Sequence, residues 1–192
     1  LASDATDLDS ALQVKCGEET INDLIVAKTA KIGEKLSLRR FEILTKNDDE
    51  SFGAYLHMGG KIASLALVKN ASEEVAKDVA MQSAAMKAQY LDSASVPADV
   101  VEKERKVLIE QAMEEGKPAD IAEKMVAGRI KKFYKEVCLL NQAFIKDGDV
   151  NVETYVKNNG GVVKTMIRFE VGEGMEKRND NFAEEVMNQV NN

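Results

Sequence analysis

His57 is the only histidine in the chain, so any transfer chemistry that needs an imidazole base beside a nucleophile would have to be built on it. It stands next to Met58-Gly59-Gly60, and a lone histidine at a glycine turn reads as a surface or partner-contact residue rather than as a base. The two thiols, Cys16 and Cys138, lie far apart, which supplies neither a disulfide framework nor a zinc ligand set. Both are expected to be buried, and nothing near Cys138 in sequence offers it a base. Val171-Gly172-Glu173-Gly174 contains Gly-x-Gly but no third glycine and no following Lys-Ser/Thr, so it does not read as a phosphate cradle. No carboxylate pair or metal-ligand cluster stands out. The expectation is a protein with no catalytic residue, no metal site and no cofactor.

Arg129, Lys131, Lys132 and Lys135 form the one basic run that could touch phosphates. The stretch 99–136 around it holds nine basic and nine acidic residues, the balance of a solvated helix face. The whole chain carries 26 Lys and Arg against 33 Asp and Glu, a formal charge of −7, with 5% aromatic residues and no Trp. Counterion release and base stacking are therefore poorly supplied, and a nucleic-acid partner is not expected. An RNA- or tRNA-gripping helical hairpin is the competing reading. No apolar run reaches the roughly 18 residues needed to cross a bilayer, and no basic segment followed by an apolar one opens the chain, so a soluble, cytoplasmic protein with no membrane partner is expected. At 192 residues and 44% apolar content it can bury a core in one or two small domains. Leu1 is not a translation start, and the chain reads as a processed form or a piece of a longer protein.

Residues 18–33 place Ile21, Leu24, Ile25 and Ile32 among charged residues ahead of Gly33, the pattern of an amphipathic helix with a glycine cap. Leu36 and Leu38, then Phe41 and Ile43, predict a strand whose alternation slips at Arg39-Arg40 as at a bulge. Phe52, Ala54 and Leu56, the glycine turn and the apolar run 62–68 predict a hairpin whose second strand is buried on both faces. Ser72, with Glu73 and Glu74, opens a helix expected to reach Tyr90; its alanines at 76, 80, 84 and 88 make a smooth stripe for close approach to a sheet.

From 99 to 137 two arms with narrow apolar seams flank Gly116-Lys117-Pro118, which predicts an antiparallel helical hairpin. Val100, Val101, Val107, Leu108 and Ala112 supply one seam; Ile121, Ala122, Met125, Val126, Ile130, Phe133 and Val137 supply the other. Beyond it, 137–140 reads as extended, Asn151 opens a short helix, and Val163, Thr165, Ile167, Phe169 and Val171 alternate against Lys164, Met166, Arg168 and Glu170 as a strand with one buried and one wet face. Phe182, Val186 and Val190 mark a last helix over 181–190. The sum is an α+β fold: an antiparallel sheet packed with helices, interrupted by an inserted antiparallel helical hairpin, and followed by a C-terminal helix.

Several stretches together resemble one family, translation elongation factor Ts. They are Lys31-Ile32-Gly33-Glu34 with Arg39-Arg40, Tyr55-Leu56-His57 through Gly60-Lys61-Ile62, and Asp78-Val79-Ala80-Met81-Gln82. Val100-Val101-Glu102-Lys103-Glu104, Gly116-Lys117-Pro118 and Ile121-Ala122-Glu123-Lys124-Met125-Val126 continue the series. The runs 131–140 (Lys131 to Leu140) and 167–174 (Ile167 to Gly174) complete it, so that the resemblance spans residues 18–190.

The resemblance implies an exchange factor, not an enzyme, that binds GDP-bound elongation factor Tu and speeds GDP release. It implies a division into 1–35 as the remnant of a first core subdomain, 36–97 with 138–175 as the α+β core, 98–137 as a coiled-coil or dimerisation hairpin, and 176–192 as a C-terminal helical module. It implies partner contacts at His57, at Phe144 and Ile145, and at Met187 and Val190, with a homodimer forming through the hairpin, where Leu108, Met125 and Val126 read as seam residues. Ala143 stands where the family has Pro. The family's N-terminal helical domain and its Thr-Asp-Phe-Val segment have no counterpart in this sequence, from which the chain is expected to dock but to be impaired in exchange.

Overall fold

A computed structural model describes residues 4–175, and the chain divides into two compact units, 1–45 and a second beginning at Lys46. In the first unit α1 (Leu8–Leu12) starts from Asp7, whose carboxylate accepts from the Ser10 N–H at 2.8 Å. The short strands β1 (Lys15–Cys16) and β2 (Glu19–Thr20) pair antiparallel, and α2 (Ile21–Ile32) follows at once. Thr20 and Asp23 cap α2 reciprocally, and Gly33, at φ 79°, closes it by donating to the Thr29 carbonyl at 2.9 Å. A left-handed residue is what ends a helix in this way, and glycine takes that conformation without a Cβ penalty.

The strand expected over 36–43 does not form: residues 35–47 carry no regular secondary structure. Alternation licenses a strand only where a second strand supplies the ladder, and among the described residues none pairs with this segment. Leu36 and Ile43 are accordingly exposed. Nor are both thiols buried as expected, because Cys16 lies on the exposed hairpin β1–β2, while Cys138 is buried.

The second unit is built on a three-stranded antiparallel sheet. Strand β3 (Glu50–His57) turns through Met58–Gly60 into β4 (Ile62–Lys69), in register from Glu50↔Lys69 to His57↔Ile62. Helix α3 (Glu73–Ala85) starts at Ser72 and returns across the sheet. The alanine stripe does what its spacing implied: Ala76, Ala80 and Ala84 are buried, and a Cβ added to Gly53 would overlap the peptide group of Ala76. α3 ends at Ala85, short of Tyr90: Lys87 takes a left-handed φ of 53° and the Ala88 N–H turns back to the Ser83 carbonyl at 3.3 Å, after which the N–H groups of Gln89 and Tyr90 donate to the Val137 carbonyl and Tyr90 accepts from Leu139.

The inserted hairpin consists of α4 (Ala98–Glu114) and α5 (Ala119–Val137), joined at Gly116 with φ 76°. Seventeen and nineteen residues at 1.5 Å each give arms of about 26 and 28 Å. Ala112, Ala122, Val126 and Ile130 are buried between the arms, while Val107 and Ile121 of the expected seams remain exposed. Within the segment 137–140, expected to be a strand or extended, Cys138 is extended and forms a parallel bridge with Tyr90, while residues 139–141 form a 3-10 turn. A short pair, β5 (Ala143–Phe144) and β6 (Asp147–Asn151), follows, and then α6 (Val152–Asn158), capped by Asn151.

β7 (Val162–Glu170) pairs with β4 and completes the order β3-β4-β7. Its uninterrupted alternation is not its burial pattern. Leu67 faces Thr165 but Val68 faces Val163, so Lys164 is an extra residue and the strand changes parity across a bulge. Val163 and Met166 both pack on the core under α3, and the Arg168 side chain, only 10% exposed, pairs with Glu170 at 2.6 Å. The face expected to be wet therefore turns inward at Met166 and Arg168, while the Glu170 side chain stays 39% exposed. The expected C-terminal helix over 181–190, with Met187 and Val190, lies outside the described residues.

Candidate functional site

His57 ends β3, where the Met58–Gly60 turn lifts the chain off the sheet. Its ring lies over that of Tyr55, two residues back on the same face, with centroids 6.1 Å apart and planes 29° apart. Leu56 and Met58 on either side are exposed, and Met58 holds φ 51°, a conformation uncommon for a non-glycine residue. The turn thus presents the imidazole beside the exposed Met58, while Leu56 is exposed on the opposite face of β3. Nothing in this arrangement places a nucleophile beside the ring.

The second exposed feature is Ile145, 50% exposed, at the bend between β5 and β6. Phe144, the residue before it, is 3% exposed and stacks on Tyr155 at 3.9 Å between centroids; it belongs to the core under Ile145 and offers no surface of its own. The bend is held by α3. The Gln82 side chain, fully buried, accepts from the Ile145 N–H at 2.8 Å and donates to the Ala143 carbonyl and to the Gln142 side-chain oxygen, both at 3.1 Å. Gln142 donates in turn to the carbonyls of Met86 and Glu136, so every polar atom of this amide pair has a partner, as burial demands.

One turn earlier on α3, Asp78 receives the Lys146 ammonium at 2.6 Å and the Tyr155 hydroxyl at 2.9 Å. Burial, together with this bond to a carboxylate, pushes the Tyr155 phenol up to about 12. Asp78 and Gln82 are four residues apart on one helix, so a single face of α3 grips the segment 142–146 at two levels. Sequence reasoning missed both residues. The signal was available: an acid and an amide at helical spacing beside an alanine stripe have no reason to be near a sheet unless they hold something.

Cys138 is fully buried and its thiol is pushed up to about 11, by burial first and by the charge of Asp92 second, which removes the thiolate a nucleophile needs. Among the described residues no group of three or more His, Cys, Asp and Glu converges as a metal site would, and no helix is long and apolar enough to cross a membrane. Of the basic run, Arg129 donates to both carboxylate oxygens of Glu115 at 3.1 Å, and Lys132 lies 3.9 Å from Glu136. Met187 and Val190 lie outside the described residues.

The family model described as Elongation factor TS matches residues 1–173. Elongation factor Ts of Pediococcus pentosaceus (strain ATCC 25745 / CCUG 21536 / LMG 10740 / 183-1w) is 53% identical over 184 residues. Elongation factor Ts of Limosilactobacillus fermentum (strain NBRC 3956 / LMG 18251) is 50% identical over 185 residues. Each alignment covers 96% of this chain and 63% of the relative, so the chain spans less than two thirds of the length of these curated relatives.

Proposed function

The chain belongs to the elongation factor Ts family, and we propose that it serves translation elongation in the cytoplasm by docking on GDP-bound elongation factor Tu and promoting guanine-nucleotide exchange. The observation that carries this is a pair of exposed apolar side chains, Met58 beside the half-buried His57 at the β3 turn and Ile145 at the β5–β6 bend, the second on backbone that Gln82 holds. Ordered apolar points suit protein docking, because the entropy of fixing them is lost before the partner arrives. Phe144 supports the second feature from beneath. Met187 and Val190 are proposed as further contacts on the strength of the family resemblance.

Exchange by such a factor is linkage. A partner that binds the nucleotide-free state more tightly than the GDP-bound state must weaken GDP by the same factor, and no covalent bond changes. The hairpin is proposed as a self-association element, supported by exposed Val107, Met113 and Ile121. The RNA-gripping alternative is not favoured, since Arg129 and Lys132 are occupied by acids of the hairpin itself.

Immobilised elongation factor Tu loaded with fluorescent GDP tests the proposal. Capture of the 192-residue chain, reduced by replacing His57 and Ile145 with Ala, supports docking, and accelerated loss of fluorescence supports exchange. Absence of capture at micromolar concentrations overturns it.

A further inference from the structure

Ala143 and Ile145 flank Phe144, and their inward C=O and N–H groups face the same way, as they do in a strand prepared to pair with a parallel neighbour. β6 pairs along the other edge of β5, and among the described residues no strand meets these inward groups. Instead the buried Gln82 amide accepts from one and donates to the other, at 2.8 and 3.1 Å, standing in for one peptide unit of a missing strand. Lys146 is tied to Asp78 on the same helix face, and Phe144 is locked on Tyr155. Three successive residues are thus fixed while the Ile145 side chain between them points to solvent at 50% exposure.

We propose that Gln82 is a positioning residue for partner binding: its side-chain amide acts as a surrogate strand that presents Ile145, already ordered, to the partner. The proposal rests on the docking reading above, with elongation factor Tu as the occupant. A side chain held by one buried amide from a different element is a precise device, because removing the amide frees the backbone of Ile145 without touching any exposed atom. A Gln82→Met variant keeps the length and most of the volume of the side chain and deletes the bonds.

The test is a binding cycle with elongation factor Tu·GDP, using the whole chain, Gln82→Met, Ile145→Ala and the double variant. Each single change is expected to weaken binding about tenfold, the effect of losing one well-ordered anchor. If Gln82 acts through Ile145, the double variant binds no worse than Ile145→Ala alone. Losses that multiply, or a Gln82→Met chain that binds as the parent does, overturn the proposal while leaving the docking reading standing. Failure of the parent chain to bind overturns the docking reading and this proposal with it. A readout on the unaltered protein keeps the inference open to refutation even where Gln82→Met does not fold: the Ile145 amide is expected to show a rigid-backbone order parameter near 0.85 before any partner is added, and a value below about 0.6 sinks the idea.

Discussion

The peptide group of Ala76 in α3 lies directly on Gly53 of β3, at a separation that leaves no space for a side-chain carbon. Helix and sheet meet backbone to backbone here, with the alanine stripe on one side and a missing side chain on the other. The atoms that would give way are main-chain atoms in the middle of a helix, not the flexible end of a side chain. Gly53→Ala is therefore expected to cost about 3 kcal/mol or more, the upper range for overpacking, read as a lowered urea midpoint at unchanged slope.

Tyr155 makes stability fall at high pH. Its folded value is about 12, raised above the usual phenol value near 10, so the stabilisation is complete below pH 10 and is lost as pH rises toward 12. Chemical denaturation measured at intervals across that window should show the decline, and Tyr155→Phe should flatten it while lowering neutral-pH stability by about 1.5–3 kcal/mol for a hydrogen bond to a charged acceptor.

The two thiols should separate cleanly under a disulfide reagent. Cys16 is exposed, whereas Cys138 is buried with its thiol near 11. One thiol should react at once in the native protein and the second only on unfolding, at least about a hundredfold more slowly. Two equally fast equivalents would contradict the burial of Cys138.

Inside the hairpin, burial and surface pairing carry unequal weight. Val126 is fully buried in the seam, so Val126→Asp should cost about 3 kcal/mol or more by leaving an unpaired charge there, with loss of helical circular dichroism. Arg129 and Glu115 are a partly exposed pair, at 27% and 51%, and Arg129→Ala should cost under about 1 kcal/mol.

What could be read from residues alone was what residues settle locally. The β3–β4 hairpin follows from a glycine turn between alternating runs, and the α4–α5 hairpin from two seams around Gly116 and Pro118; both signals sit within the segments they shape. What could not be read depends on a partner distant in sequence. Residues 36–43 alternate like a strand but have no ladder among the described residues, and the backbone of Gln89 and Tyr90, past the left-handed Lys87 that closes α3, bonds to Val137 rather than continuing the helix. Of the proposed contacts, His57 was singled out by its rarity and Ile145 by the family resemblance. The depth of Phe144 was not legible, because it is set by Tyr155 from another helix, and the grip of Asp78 and Gln82 spans some sixty to seventy residues of chain.

The bulge in β7 gives the sheet an unusual freedom. Lys164 is exposed and has no opposite number on β4, whereas Val163 and Thr165 are already matched to Val68 and Leu67. A chain shortened by that one residue would join two positions already in register, leaving Met166 and Arg168 on the face they now occupy and costing the strand only its local bend. Length variation is ordinarily absorbed by loops; here the middle of an edge strand holds a place where one residue can be removed without reassigning inside and outside.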